Sequence, residues 1–247
     1  MTVDSGPFDL GERDGAAVLC IHGLTGTPYE VRPPAEALAR RGFRCVGPVL
    51  PGHGQTPLAL ARTRRAEWTE AVLNAWDALS TQHERVYVLG LSLGGVLALR
   101  VGARRSVSGL VVLAAPLDLG PLIRLTVPWL SRVVRFVPKT PAIEDAAARA
   151  RHPGYDRMPL RAVAELIRLG REVRAELGSV TAPIRLIFSE RDPTVRPANA
   201  ELILRGIASA DREVRWLARS QHVLPVDVEG REVSALVADF LSGQETA

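Results

Sequence analysis

Short apolar runs alternate with helix-like stretches along most of the 247-residue chain. Near-continuous apolar strands separated by helices are typical of a parallel sheet covered on both faces. The runs interpreted as strands are AAVLCIHG (16–23), FRCVGPVL (43–50), VYVL (86–89), SGLVVLAAP (108–116), PIRLIFSE (183–190) and EVRWLA (213–218). Helices are predicted at 28–42, 66–80, 93–104, 197–208 and 230–242, and the stretch 66–80 has helical apolar spacing. We therefore predict an α/β fold with a mostly parallel central sheet.

Residues 118–180 interrupt this alternation with a long, mostly helical segment between two predicted strands. The segment is too long for an ordinary connection between neighbouring elements of a compact domain. We expect it to form a small cap over the C-terminal edge of the sheet. The total length is compatible with one domain, so residues 1–247 are predicted to be a single domain with this insertion.

Composition excludes several classes of partner. Hydrophobic residues make up 47% of the chain and charged residues 23%, as in an ordinary globular protein. The net charge of +4 comes from dispersed arginines, with Lys139 as the single lysine, and no basic run is interleaved with aromatics. We therefore expect no nucleic-acid partner.

No apolar run reaches the ~18 residues of a membrane span, and the start MTVDSGPFDLGERDG lacks the features of a secretory signal. We expect a cytoplasmic monomer or weak homodimer without stable membrane insertion.

The stretch LGLSLGG (89–95) changes from strand to helix with no polar loop between them. A turn this sharp strains its corner residue and crowds the neighbouring positions, where Gly90 and Gly94 remove the side chains. The G-x-S-x-G pattern predicts a nucleophile elbow that projects the Ser92 hydroxyl at the edge of the sheet. The alternative is a tight glycine turn without a chemical role.

A serine nucleophile needs a base, which the sequence supplies among five histidines. His222 lies in RSQHVLPVD, after the last predicted strand and before the last helix. The chain order serine, acid, histidine therefore selects His222. His22 and His53 precede the serine, His83 lies in a polar turn, and His152 lies in the predicted cap. We expect His22 to have a structural role rather than to act as the base.

The acid that orients the histidine should follow the preceding strand. PIRLIFSERDP contains both Glu190 and Asp192, and Asp192 opens the loop, whereas Glu190 still belongs to the strand end. We therefore predict Asp192 as the acid and keep Glu190 and Asp118 as alternatives.

The oxyanion that forms during acyl transfer needs two hydrogen-bond donors. The N–H of Leu93, at the start of the helix after Ser92, is the first predicted donor. The second is expected in the loop IHGLTGTP (21–28), where Gly23 permits close backbone approach and directs the N–H of Leu24 to the same point. Gly23 is also a candidate residue of the substrate pocket.

Together these motifs resemble the α/β-hydrolase superfamily, in particular compact bacterial carboxylesterases and monoacylglycerol lipases. By this resemblance, Ser92, Asp192 and His222 match the catalytic triad, and Leu24 and Leu93 match the oxyanion residues. The resemblance implies neither a metal nor an organic cofactor. The stretches that carry it are IHGLTGTP, LPGHG (50–54), LGLSLGGVLAL, FSERDPTVRPANAELI (188–203) and SQHVLPVD (220–227).

The predicted function is hydrolysis of small-molecule acyl esters with short to medium chains through a Ser-His-Asp triad and an acyl-enzyme. Thioesterase or acyltransferase activity is an alternative, because the same acyl-enzyme serves all three reactions. A non-catalytic ligand-binding module with this fold is a further alternative from another class.

The cap contains LIRLTVPWLSRVVRFVPK (122–139), in which we predict a helix that begins at Pro128. Trp129, Leu130 and Val133 lie on its apolar side, and basic residues fall on another face at spacings of three and four. That apolar side packs on the sheet, lines an acyl-chain pocket, or makes transient contact with an anionic lipid surface. Trp129, Leu130 and Val133 are accordingly candidate pocket residues.

Overall fold

The computed structural model of the protein describes residues 3–245. The strands are β1 (Phe8–Leu10), β2 (Ala17–Ile21), β3 (Arg44–Gly47), β4 (Val86–Leu91), β5 (Gly109–Leu113), β6 (Phe136–Pro138), β7 (Arg157–Pro159), β8 (Ile184–Ser189) and β9 (Arg212–Leu217). The α-helices are α1 (Arg32–Ala39), α2 (Pro57–Arg62), α3 (Arg65–Ser80), α4 (Leu93–Arg104), α5 (Pro121–Leu130), α6 (Ala146–Arg151), α7 (Leu160–Glu176), α8 (Ala198–Gly206) and α9 (Gly230–Glu245). Short 3₁₀ helices cover Pro28–Val31, Leu177–Ser179 and Leu224–Val226. Within the described residues, no helix is both long and apolar enough to cross a membrane.

Among residues 3–245, seven strands form the central sheet in the order β1-β3-β2-β4-β5-β8-β9. Every neighbouring pair is parallel except β1 and β3, which are antiparallel. The predicted α/β fold with a mostly parallel sheet is confirmed. The carboxyl ends of β2, β4, β5, β8 and β9 therefore meet at one edge, where open α/β sheets bind ligands.

Alternating side chains on each strand fill two separate cores, one on each face of the sheet. Leu19 and Ile21 of β2 point into the core covered by α3, α4, α7 and α8, whereas Val18 and Cys20 point into the core covered by α1 and α9. Both faces of the central strands are buried, which explains why these strands are apolar along their whole length.

The sequence located the six long strands and the five helices around them, but it missed β1 and α2. β1 is a three-residue antiparallel edge strand, and α2 is a six-residue helix capped by Thr56, whose side chain accepts a hydrogen bond from the Ala59 N–H. Elements this short give too few residues for a periodic pattern to be recognised.

The insertion between β5 and β8 contains α5, α6 and α7 together with an antiparallel pair, β6 and β7. The sequence did not predict this pair. The prediction of a helix beginning at Pro128 is wrong: α5 begins at Pro121, after Gly120 with φ of 90°, and Pro128 lies inside it. Proline suits the first helical turn, and two candidates were available here. Helix α7 packs into the main core through Leu169 and Val173, so the insertion is joined to the body of the fold.

The turn between β4 and α4 generates a stability prediction. A Cβ at Gly94 would lie 2.0 Å from the carbonyl oxygen of Ile21, so Gly94→Ala should lower the free energy of unfolding by about 3 kcal/mol. A Cβ at Gly178 would meet no heavy atom within 4 Å, which makes Gly178→Ala the matched control. Urea denaturation measures both variants. Equal midpoints would contradict the close approach of α4 to β2.

Candidate active site

Ser92 occupies a strained corner between β4 and α4. Its φ and ψ are 56° and −117°, a region that non-glycine residues rarely adopt. Its N–H donates to the carbonyl oxygen of Leu113, 2.8 Å away at the end of β5. A Cβ at Gly90 would lie 2.1 Å from the carbonyl oxygen of Gly94, so the turn closes only because glycine occupies both of these positions. Backbone strain of this kind is characteristic of functional sites.

The structure brings the three predicted triad residues together. The hydroxyl oxygen of Ser92 lies 2.9 Å from Nε2 of His222, and Nδ1 of His222 lies 2.7 Å from Oδ2 of Asp192. The carboxylate can only accept, so Nδ1 carries the ring proton and Nε2 is free to accept the proton of the serine hydroxyl. This arrangement can activate Ser92 as a nucleophile.

Asp192 is a buried carboxylate in the loop after β8. The side chain is 1% exposed, and the N–H groups of Thr194 and Val195 donate to its Oδ1 at 2.7 and 3.0 Å. Burial raises the pKa of Asp192, but the charge and hydrogen bond of His222 and these two N–H groups outweigh burial and hold it below its ordinary value. The carboxylate is therefore ionised at neutral pH and fixes the tautomer of His222.

The other four histidines make structural contacts away from Ser92. Nδ1 of His22 hydrogen-bonds the carbonyl oxygen of Gly23, and its Nε2 accepts from the N–H of Leu50. Burial lowers the pKa of His22. Burial also lowers the pKa of His53, to about 3. His83 hydrogen-bonds the carbonyl oxygen at position 15, and His152 contacts a glutamate at position 30.

The alternative acids lie elsewhere. One carboxylate oxygen of Asp118 accepts from the N–H of Gly120 and the other from Arg124. Glu190 is exposed just beyond β8, and its N–H donates to the carbonyl oxygen of Leu217. The contact of Asp192 with His222 therefore distinguishes Asp192 from both alternatives.

The loop after β2 holds the peptide group that contains the predicted Leu24 donor. The carbonyl oxygen of Gly23 belongs to the same peptide plane as the N–H of Leu24, and it accepts from Nδ1 of His22 at 2.9 Å and from the N–H of Gly26 at 3.2 Å. A Cβ at Gly23 would lie 3.4 Å from that of Ser92, so the loop passes close to the serine. The role of Leu24 and Leu93 as oxyanion donors stays a prediction.

A cavity of about 360 Å³ opens beside Ser92 and His222. Its walls are mostly apolar and come from both the sheet edge and the insertion. Residues of the insertion that line it include Leu119, Ile123 and Met158, and Gly23 borders it from the β2 loop. A small, largely apolar cavity with a few polar groups is typical of a small-molecule site.

The candidate pocket residues Trp129, Leu130 and Val133 do not line this cavity. Trp129 is 68% exposed and Val133 82% exposed, and Leu130 is also exposed. Helix α5 begins at Pro121 rather than at Pro128, and the side of it that faces the cavity carries Ile123. The acyl-pocket interpretation of these three residues is therefore wrong, as is their packing on the sheet.

Two charged residues of the cavity wall were not identified from the sequence. Glu30 lies in the 3₁₀ helix after the β2 loop, and Lys139 follows β6 in the insertion. Both are largely buried, and each contacts the β2 loop: Glu30 accepts from the N–H of Gly23 at 2.8 Å, and Lys139 Nζ donates to the hydroxyl of Thr25. Only folding brings these residues to the loop, although Thr27-Pro-Tyr-Glu30 resembles a helix-capping pattern.

The loop that carries His222 is held by two carboxylates. Glu229 accepts from the N–H groups of Arg219 and Ser220 at 3.0 and 2.6 Å, and Asp227 accepts from the N–H of Gln221 at 2.7 Å. The N–H of His222 itself donates to a carbonyl oxygen of the insertion, at residue 142. These hydrogen bonds fix the backbone from which the imidazole reaches Ser92.

Within residues 3–245, no three His, Cys, Asp or Glu side chains are grouped so that they could hold a metal ion.

Comparisons with known proteins identify similar sequences. A family model described as serine aminopeptidase S33 (Hydrolase_4) matches residues 12–229. The chain is 30% identical over 230 residues to the thermostable monoacylglycerol lipase of Bacillus sp. (strain H-257), covering 90% of this chain and 88% of that enzyme. It is 27% identical over 240 residues to a carboxylesterase of Bacillus subtilis (strain 168), covering 95% of each.

Solved structures share the whole fold. A structure from work on the metagenome-derived lipolytic enzymes LipS and LipT superposes with a TM-score of 0.90 at 27% identity, over 98% of this chain and 100% of that chain. The monoacylglycerol lipase of Paleococcus ferrophilus superposes with a TM-score of 0.81 at 18% identity, over 96% and 98% of the two chains. With the match of the family model over most of its length, the chain belongs to the Hydrolase_4 family of α/β-hydrolases, the family described as serine aminopeptidase S33.

Proposed function

We propose that the protein is a serine carboxylic ester hydrolase of the carboxylesterase or monoacylglycerol lipase type. Nε2 of His222 takes the proton of Ser92 as the serine oxygen attacks the ester carbonyl. The N–H groups of Leu24 and Leu93 stabilise the oxyanion of the tetrahedral intermediate. The alcohol leaves with the proton from His222, and water repeats the sequence on the acyl-enzyme while Asp192 holds the tautomer of His222.

The observation that carries this proposal is the hydrogen-bonded chain from Ser92 through His222 to Asp192. Its two distances, 2.9 and 2.7 Å, join residues that are 130 and 30 positions apart in the sequence. A contact between such distant residues at a strained serine supports nucleophilic catalysis more strongly than any of the three residues does alone.

The cavity supports an apolar acyl ester of modest size as the substrate. Its volume of about 360 Å³ is near the lower end of the range for small-molecule sites, which is about 300–1,000 Å³. Such a cavity suits one short to medium acyl chain better than a bulky triglyceride. Monoacylglycerols and esters of other small alcohols are the proposed substrates.

The cavity is less suited to the free amino terminus that an aminopeptidase binds. Glu30 is the only carboxylate among the described residues that line it, and both oxygens of Glu30 already accept hydrogen bonds within the protein. Besides Glu30, the ionisable side chains among the described lining residues are those of Lys139 and His222, and neither is an anion that could pair with an ammonium group. Among the described lining residues, no other carboxylate could pair with a substrate ammonium group, which favours esters over amino-terminal peptides.

Ser92→Ala should abolish both ester hydrolysis and labelling by a fluorophosphonate, because no other group replaces the nucleophile. The far-UV circular dichroism spectrum and the unfolding midpoint should stay close to those of the parent protein. Ser80→Ala, which removes a hydroxyl at the exposed end of α3, is the matched control and should be labelled normally. Retained turnover in Ser92→Ala would place the nucleophile at another residue, and absence of labelling in the parent protein would favour a non-catalytic binding module.

Rates across p-nitrophenyl esters of increasing acyl length should rise from acetate and then fall once the chain exceeds the cavity. Met158→Trp should shift the optimum to shorter chains, because Met158 lies in the cavity wall and the larger side chain reduces the space. Matched thioesters and added alcohols distinguish the alternatives: faster thioester cleavage would indicate a thioesterase, and transfer to the alcohol in place of hydrolysis an acyltransferase. An optimum unchanged in Met158→Trp would place the acyl chain elsewhere.

The outer side of α5 supports a further part of the proposal, transient contact with an anionic lipid surface. Leu122, Leu125 and Trp129 are 74%, 67% and 68% exposed, and they lie on the helix whose Ile123 lines the cavity. The guanidinium of Arg132 stacks over Trp129, 4.3 Å from the ring centroid. An exposed apolar face with flanking cations suits the boundary between anionic headgroups and acyl chains.

Replacing both Leu122 and Leu125 by Ser should weaken binding to vesicles that contain anionic phospholipid at least several-fold, as measured by sedimentation. Hydrolysis of a water-soluble short-chain ester should be unchanged, because neither residue lines the cavity. Leu58→Ser, at another exposed leucine, is the control and should bind vesicles as the parent protein does. Equal binding by the double variant, or no binding by the parent protein, would rule out this surface.

A further inference from the structure

The loop that carries the Leu24 amide is folded around the carboxylate of Glu30. A Cβ at Gly26 would lie 2.2 Å from that carboxylate, so the group sits in the concave side of the loop. Oε2 accepts from the N–H of Gly23 at 2.8 Å, and the Glu30 side chain is 4% exposed. The Leu24 N–H is the next backbone N–H along the chain after the Gly23 N–H that makes this hydrogen bond.

The second oxygen of Glu30 is held by the insertion. Oε1 accepts from Nε2 of His152 at 2.8 Å, and Nδ1 of the same ring accepts from the N–H of Gly154 at 3.1 Å. The His152 side chain is completely buried. Every oxygen of this buried carboxylate therefore has a donor, as a buried anion requires.

Lys139 adds a positive charge and a second link between the insertion and the loop. Its ammonium donates to the hydroxyl of Thr25, while the N–H of Tyr155 donates to the carbonyl oxygen of the same residue at 3.0 Å. Thr25 has φ of 66°, a conformation that a β-branched residue adopts only when its surroundings hold it there.

Glu30 is held in its ionised form. Burial raises the pKa of Glu30, but the hydrogen bond from His152 and the positive charge of Lys139 outweigh burial and lower it to about 2. Burial lowers the pKa of Lys139, and Glu30 opposes that change. Because the carboxylate is charged at neutral pH, its hydrogen bond to Gly23 is charge-assisted and stronger than a neutral one.

We propose that Glu30 is a positioning residue for ester hydrolysis: with His152 and Lys139 of the insertion it fixes the β2 loop so that the Leu24 N–H points at the developing oxyanion. The insertion thus acts on the chemical step and not only on substrate access. This inference rests on the proposed function, and Glu30 acts through the loop without touching the reacting atoms.

Glu30→Gln is the direct test, because it keeps the size of the side chain and removes its charge. We expect kcat to fall about 10- to 100-fold with KM within about twofold, since loss of one oxyanion donor costs about 10²- to 10³-fold and the loop here is displaced rather than removed. Glu30→Asp keeps the charge but shortens the reach, so its kcat should be intermediate. Rates are normalised to active sites titrated with a fluorophosphonate, which removes any effect of a smaller folded fraction.

The inhibitor readout separates positioning from a merely structural role. A trifluoromethyl ketone with the acyl chain of the best ester adds to Ser92 as a hemiketal oxyanion, so its Ki should rise in parallel with the fall in kcat/KM across the variants. The Ki of an unreactive alcohol of the same chain length should not change. Glu172→Gln is the matched control, because Glu172 also pairs with buried charge, at Arg100, but lies outside the cavity wall; it should lower the unfolding midpoint while leaving kcat and both Ki values unchanged.

Different results would overturn the proposed function and the role of Glu30. A parent protein that neither hydrolyses esters nor is labelled at Ser92 would overturn the proposed function. A parent protein that does both, with native kcat and ketone affinity in Glu30→Gln, would overturn the role of Glu30 alone. If Glu30→Gln does not fold, His152→Leu provides the same comparison, because leucine has no group that can donate to Oε1 and the carboxylate stays in place; unchanged kcat and ketone affinity there would equally overturn the inference.

Discussion

The contact on which the site depends is the close approach of the β4–α4 turn to the ends of its neighbouring strands. A Cβ at Gly94 would lie 2.0 Å from a carbonyl oxygen of β2, and the N–H of Ser92 donates to the end of β5. The turn is therefore fixed by the backbones on both sides of it, which offsets the strain at Ser92. These contacts fix the position of Ser92 independently of His222 and of the β2 loop, both of which lie next to it.

Much of the fold could be predicted from the sequence because strands buried on both faces and helices with one apolar side leave different patterns. The predictions failed where the local pattern was short or ambiguous. The three residues of β1 and of β6 are recognisable only by the strands that pair with them. In the insertion, both Pro121 and Pro128 could start a helix, and the burial of Val127 together with the position of Ile123 at the cavity shows which side of α5 is internal. An apolar side chain on a surface helix does not by itself indicate burial, as Trp129 illustrates.

The candidate site also contains some residues that the sequence predicts and others that it does not. Ser92, Asp192 and His222 could be nominated from motif and chain order, because each lies just beyond a strand and parallel strands end at one edge of the sheet. Glu30 could not be nominated, because its contacts come from His152 and Gly23 and depend on how the insertion folds back. Locally it resembles a capping residue for the helix that follows.

Both loops that reach Ser92 are held in the same way: carboxylates accept hydrogen bonds from N–H groups of the loop backbone. Glu30 holds the β2 loop, and Glu229 and Asp227 hold the loop of His222. Burial raises the pKa of Glu229, yet the hydrogen bonds of the residue at 220 and its neighbours outweigh burial and hold it below its ordinary value, as for Glu30. The insertion is hydrogen-bonded to carboxylates of both loops. His152 contacts Glu30, and the N–H groups at positions 144 and 145 donate to Asp227. Because the insertion also forms part of the cavity wall, the shape of the pocket and the positions of these two loops depend on the same segment.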